Sequence, residues 1–137
     1  MKLVLLISTL LLPFNSISIA QNNASLVGTW KLISGKMAIG DSTNTYDLSK
    51  MEAMKIVTPT HFAVFSKNTS DGTLQHAGAG NVIIDGNNYT EIINYMSGDS
   101  PHLPITSKFT SKLEGNKWHI KGRFDNFVLD EIWERIK

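Results

Sequence analysis

Two glutamates and one histidine are the side chains of this sequence that could do chemistry. Glu91 follows Tyr89 by two residues, and Glu131 precedes Trp133 by two residues. Residues two apart in an extended strand lie on the same face, so each carboxylate would share a face with an aromatic ring. Paired carboxylates can transfer protons or hold a polar ligand group, and His61 could complete an acid–base pair with Glu91. The same residues therefore allow one catalytic hypothesis and one binding hypothesis.

Other kinds of catalytic or cofactor site have little support. The chain has no cysteine, which excludes disulfides, thiolate metal sites and cysteine nucleophiles. Its four histidines show neither H-x-H nor H-x-x-x-H spacing, and no P-loop, nucleophile elbow or dinucleotide fingerprint occurs. Gly78-Ala79-Gly80 lies within a β-rich segment, where glycine indicates a bulge or a sharp bend. We therefore expect no metal and no cofactor.

Composition and charge are those of one compact domain. The chain has 137 residues, of which 42% are hydrophobic and 18% charged. Thirteen Lys and Arg residues nearly cancel twelve Asp and Glu residues, for a net charge of +1. Such a balance does not favour nucleic acid as a partner.

Residues 1–20 have the anatomy of a signal peptide. Lys2 is followed by an apolar run from Leu3 to Leu12 and then by small residues that end at Ala20. The run is too short for a membrane anchor, which needs about 20 apolar residues. We predict cleavage near Ala20, export to the periplasm or the medium, no membrane span after processing, and a mature domain of residues 21–137.

The mature segment is predicted to be all-β. Runs rich in β-branched and aromatic residues alternate with clusters of Gly, Asp and Asn at residues 70–72, 85–88 and 114–116. The predicted strands lie near residues 27–37, 54–59, 61–67, 74–84, 89–96, 106–113, 117–124 and 127–136. One short helix is predicted over residues 46–54. An up-and-down antiparallel β-barrel of about eight strands leaves no exposed sheet edge, and a β-sandwich is the alternative.

Strand alternation predicts which side chains point into the barrel. If Trp30 points inward, Leu32 and Ser34 follow it, and lone lysines such as Lys55 are interpreted as solvated rim residues. For residues 61–67 the pattern leaves both faces open. The candidate interior, and hence the candidate ligand site, consists of Trp30, His61, Phe65, Tyr89, Glu91, Tyr95, Glu131 and Trp133. A packed interior without a ligand is the alternative.

The two ends of the mature segment resemble the lipocalin and fatty-acid-binding-protein group. Gly28-Thr29-Trp30 begins it and Trp133-Glu134-Arg135 ends it. The body is also similar to small secreted bacterial lipocalin-like domains, through residues 58–62, 77–80, 89–91 and 131–135. The resemblance implies that Arg135 lies across Trp30 at the barrel floor in a cation–π contact. The chain is shorter than lipocalins and lacks their long helix, so only the architecture is carried over.

These observations predict an exported, non-enzymatic protein that binds a small hydrophobic or amphipathic molecule in its barrel. Buried carboxylates need partners, and the candidates are Arg135 for Glu131 and His61 or Tyr95 for Glu91. One alternative is a small barrel enzyme, an isomerase or cyclase, with His61 and Glu91 as acid and base. Another is a solid barrel that meets a partner through the loop at residues 97–104. The oligomeric state is left open.

Overall fold

A computed structural model describes residues 26–99 and 102–137, and the predicted leader lies outside these residues. The described chain forms nine strands and no helix. The strands are β1 (Gly28–Ile39), β2 (Ser42–Thr45), β3 (Met51–Val57), β4 (His61–Asn68), β5 (Leu74–Asp85), β6 (Asn88–Met96), β7 (Ile105–Glu114), β8 (Lys117–Phe124) and β9 (Phe127–Arg135). None of the described residues belongs to a helix that could cross a membrane.

The sheet closes into an up-and-down barrel of eight strands with one extra strand. From β3 to β9 each strand pairs antiparallel with the next in the chain, and β1 pairs with both β3 and β9. The short β2 pairs only with the end of β1, as a hairpin extension. The predicted all-β class and barrel topology are confirmed, and the closing pairing of β1 with β9 excludes the sandwich.

The predicted helix over residues 46–54 is wrong. Residues 46–50 form an irregular turn, and β3 begins at Met51. All seven residues of β3 pair with β4, from Met51 opposite Asn68 to Val57 opposite Phe62. A helix of nine residues has too few internal hydrogen bonds to be stable alone, whereas the strand gains a full ladder. The three predicted turns do join β4 to β5, β5 to β6 and β7 to β8.

Two β-bulges reverse the faces that simple alternation predicts. In β1, Leu32 pairs with Trp133 and Ser34 with Ile132, so one extra residue lies between them. Ser34 is therefore exposed instead of buried, which corrects the prediction for this strand.

The second bulge lies in β6. Ile93 pairs with Gly80 and Tyr95 with Ala79, which leaves Asn94 as the extra residue. Tyr95 is 73% exposed on the outer face, so its predicted inward position is wrong. A Cβ atom at Gly80 would collide with the backbone carbonyl of Ile92, so glycine is what allows the two strands to approach here.

One end of the barrel is filled by aromatic rings. Trp30, Trp118 and Tyr89 are fully buried, with ring centroids 5.2 Å apart for the two tryptophans and 4.8 Å apart for Tyr89 and Trp118. Both indole groups donate hydrogen bonds, from Trp30 to the Leu26 carbonyl at 3.0 Å and from Trp118 to Ser111 Oγ at 2.8 Å. This closed end is a packed core with satisfied indoles.

Arg135 covers this closed end from outside. Its guanidinium carbon lies 4.1 Å from the Trp30 ring centroid, and Nη1 donates to the Val27 carbonyl at 2.8 Å. Gly28 has a φ of +148°, and a Cβ atom there would collide with Arg135 Nη1. The glycine of the G-x-W motif therefore provides the space in which the cation stacks on the indole.

Candidate ligand-binding site

The other end of the barrel is hollow. It contains a cavity of about 310 Å³, near the lower limit of the roughly 300–1,000 Å³ typical of small-molecule pockets. Most of the wall is apolar, with residues such as Leu32, Met37, Met51, Phe109 and Leu129. A few polar groups interrupt it, chiefly Tyr46, Lys55, Ser66, His76, Glu91 and Glu131.

A buried ion pair crosses the interior. Lys55 of β3 and Glu91 of β6 are 3% and 5% exposed, and Lys55 Nζ lies 2.7 Å from Glu91 Oε1. β4 and β5 separate these strands in the sheet, so the two side chains meet across the barrel. Burying both charges costs desolvation energy that only close pairing offsets.

Aromatic rings surround the ammonium of this ion pair. Lys55 Nζ lies 5.0 Å, 5.6 Å and 5.7 Å from the ring centroids of Trp133, Trp118 and Tyr89. Cation–π attraction from these rings adds to the pairing with Glu91 and holds the ammonium in place. Lys55 therefore joins the packed end of the barrel to the polar part of the cavity wall.

Glu131 of β9 is the second buried carboxylate. Oε2 accepts a hydrogen bond from Trp133 Nε1 at 3.0 Å, and Oε1 accepts a long one from the Tyr46 hydroxyl at 3.4 Å. Burial raises the pKa of Glu131, the charge of Lys55 opposes that rise, and the charge of Glu91 adds to it. The carboxyl group is thus held where its ionised form is disfavoured.

Tyr46 reaches Glu131 from the turn between β2 and β3. Its backbone N–H donates to the Gly35 carbonyl at 2.9 Å, and its ring lies where a Cβ atom of residue 35 would be. Burial, and then the negative charge of Glu131, raise the pKa of Tyr46 well above its usual value. The hydroxyl therefore stays protonated and donates to the carboxylate.

Tyr89 adds an unsatisfied polar atom beside the two carboxylates. The residue is fully buried, and its hydroxyl has no hydrogen-bond partner within the described part of the chain. Burial raises the pKa of Tyr89, and the charges of Glu91 and Glu131 raise it further. A buried hydroxyl without a partner costs about 1–3 kcal/mol, and this one lies among the rings of the packed end.

The structure places the residues predicted for the site in three different locations. Glu91, Glu131 and Trp133 line the cavity. Trp30 and Tyr89 belong to the packed end.

The remaining three residues, His61, Phe65 and Tyr95, lie on the outer face, so their predicted inward positions are wrong. In β4 it is Phe62, Val64 and Ser66 that face inward, and alternation then turns His61 and Phe65 outward. Phe62 is buried, with 3% of its surface exposed.

The proposed acid–base pair is not assembled. The His61 ring contacts Thr60 Oγ1 at 2.8 Å and Asn81 Nδ2 at 3.2 Å on the outside of the wall, whereas Glu91 points inside. The expected partners of Glu91, His61 and Tyr95, are therefore wrong, because Lys55 fills that role. The described residues also hold no group of three or more His, Asp or Glu side chains placed to bind a metal.

Sequence reasoning missed four polar residues of the wall, which are Tyr46, Lys55, Ser66 and His76. The interpretation of Lys55 as a rim residue is wrong, since it shares the buried face of β3 with Ala53 and Val57. That spacing was a signal for burial, but Met54 and Ile56 make the opposite face equally apolar. Tyr46 enters from a turn, where no periodicity exists.

Comparison with known proteins adds no relative. No family model matches the chain, and no curated protein or solved structure matches it.

Proposed function

We propose that this protein binds a small apolar or amphipathic molecule inside its barrel and is not an enzyme. The observation that carries the proposal is the cavity of about 310 Å³, whose apolar wall holds a few buried polar groups at one place. This combination is typical of sites that bury a ligand and orient one polar part of it.

The contrast between the two barrel ends supports a binding role. Trp30, Trp118 and Tyr89 fill one end completely, so this chain has side chains large enough to pack a small barrel. The other end keeps open space around Lys55, Glu91 and Glu131. Apolar residues of similar volume would fill that space at lower desolvation cost, so stability alone does not account for the charges.

Two features argue against acid–base catalysis. Glu91 is joined to Lys55 at 2.7 Å, so its carboxylate is already engaged. His61, the other member of the proposed pair, lies on the opposite side of the barrel wall. A general base needs a free acceptor within hydrogen-bond reach of the substrate proton.

The proposal also includes export to the periplasm or the medium, for which the pattern of residues 1–20 is the support. Intact-mass analysis of protein recovered outside the cytoplasm should show Gln21 at the N-terminus. Recovery of the full-length chain in the cytoplasm alone would contradict export.

Binding can be tested with N-phenyl-1-naphthylamine, an uncharged probe that fluoresces in apolar surroundings. The variant Ser66→Phe places a ring in the cavity, and Lys67→Phe places the same ring on the outer face of the same strand. We expect wild type and Lys67→Phe to bind alike, and Ser66→Phe to bind about tenfold more weakly. Thermal melting checks that both variants are folded. No probe binding to folded wild type, or equal binding to both variants, would favour a solid interaction module.

A further inference from the structure

We propose that the ligand is a small apolar amine whose ammonium group lies against Glu131. This inference rests on the proposed function, because it assigns a chemical class to the ligand of the same cavity. Two features carry it: the charges in the wall and the unused acceptor capacity of Glu131.

The charges of the wall do not balance. Lys55 and Glu91 neutralise each other at 2.7 Å. Glu131 instead accepts its two hydrogen bonds from uncharged groups, and no ion pair joins it to a cation within the described chain. His76 also lines the cavity, but burial lowers its pKa, so its ring is uncharged at neutral pH. The wall thus holds one carboxyl group more than it holds cations.

Glu131 has the geometry to accept a ligand cation. A carboxylate offers about four lone-pair sites, of which Trp133 and Tyr46 use two, the second through a bond of 3.4 Å. An ammonium group donates up to three hydrogen bonds, so it can use the remaining acceptor sites of this carboxylate. Charge-assisted hydrogen bonds of this kind are about twice as strong as neutral ones.

The same charges select against an acidic ligand. A ligand carboxylate would bring a third acidic group toward Glu91 and Glu131, while the Lys55 ammonium is already paired and enclosed by three rings. Like charges in a low-dielectric interior repel strongly. The cavity volume of about 310 Å³ is near the lower limit for small-molecule pockets, which suits a short ligand rather than a long-chain lipid.

Three six-carbon molecules that differ only in the polar end test this inference: hexylamine, hexan-1-ol and hexanoate. Each is titrated into the full mature protein by calorimetry at about pH 7.5, where the amine is protonated. We expect hexylammonium to bind about tenfold more tightly than hexanol, and hexanoate to bind most weakly. Glu131→Gln should lower the affinity for hexylammonium about tenfold and leave hexanol within about twofold. The matched control is Glu134→Gln, which removes a carboxylate from the exposed face of the same strand.

The outcomes separate this inference from the proposed function. If neither N-phenyl-1-naphthylamine nor any of the three molecules binds wild type, the binding function itself fails, and if only the fluorescent probe binds, the amine inference alone is overturned. If hexanol or hexanoate binds as tightly as the amine, or if both Gln variants weaken the amine equally, binding stands and the amine inference is overturned. Should Glu131→Gln fail to fold, the order of affinities in wild type decides alone.

Discussion

Gly35 and Glu131 are directly opposite each other in the ladder between β1 and β9, and the Tyr46 ring covers the glycine. Because residue 35 has no side chain, the ring occupies the space of its missing Cβ atom, and the hydroxyl reaches the Glu131 carboxylate. The absence of a Cβ atom at Gly35 therefore allows Tyr46 to place its hydroxyl against Glu131 in the cavity wall.

The first prediction follows from this contact. Gly35→Ala should displace the Tyr46 ring and lower the free energy of unfolding by about 1–3 kcal/mol, as overpacking does in well-filled sites. In a Tyr46→Ala background the same change should cost much less, because the ring is gone. Urea denaturation of the four proteins measures the coupling. Equal costs in both backgrounds would show that the ring and residue 35 do not interact.

The closed end depends on Arg135. Arg135→Ala should lower the free energy of unfolding by about 1–2 kcal/mol, because stacking on Trp30 and the bond to Val27 are lost. Arg135→Lys should recover only part of this, since an ammonium does not stack as a planar guanidinium does. Lys137→Ala removes a nearby exposed charge and should change little. Thermal denaturation of Arg135→Ala within error of wild type would contradict the stacking role.

The ion pair across the barrel should behave as a unit. Lys55→Met leaves Glu91 buried without its cation and should cost about 3–5 kcal/mol of unfolding free energy at neutral pH. The double variant Lys55→Met with Glu91→Gln removes both charges and should recover most of that loss. Denaturant titrations give the double-mutant cycle, and additive effects of the two changes would count against the pair.

Glu131 should make stability depend on pH in a definite direction. Its folded-state pKa lies above the unfolded value of about 4.5, so its contribution is complete below that pH and is lost as pH rises through the folded pKa. Glu131→Gln cannot ionise. The stability of this variant relative to wild type should therefore increase as pH rises above about 4.5.

This difference isolates Glu131, because every other carboxylate is present in both proteins. The groups that face Glu131 are Lys55, Glu91, Tyr46 and Trp133, and all of them are retained in the variant. Denaturation curves at several pH values measure the difference. A relative stability that stays constant or falls with rising pH would show that burial does not raise the pKa of Glu131.

Much of the fold could be predicted from the sequence because the signals are local. Alternation and turn residues located eight of the nine strands, and the inward face of β9, with Glu131 and Trp133, follows from a period of two. The short β2 was missed because it is exposed throughout and has no apolar pattern.

The site depended on contacts that only closure of the barrel creates. The bulge at Asn94 turns Tyr95 outward. This bulge depends on the close approach of β6 to Gly80 on the neighbouring strand, so the residues of β6 alone do not predict it. Lys55 meets Glu91 across two intervening strands, and nothing local relates them. Alternation determines which residues share a face. Which face is buried, and which charges meet inside, is decided when distant strands come together and each buried group must find a partner.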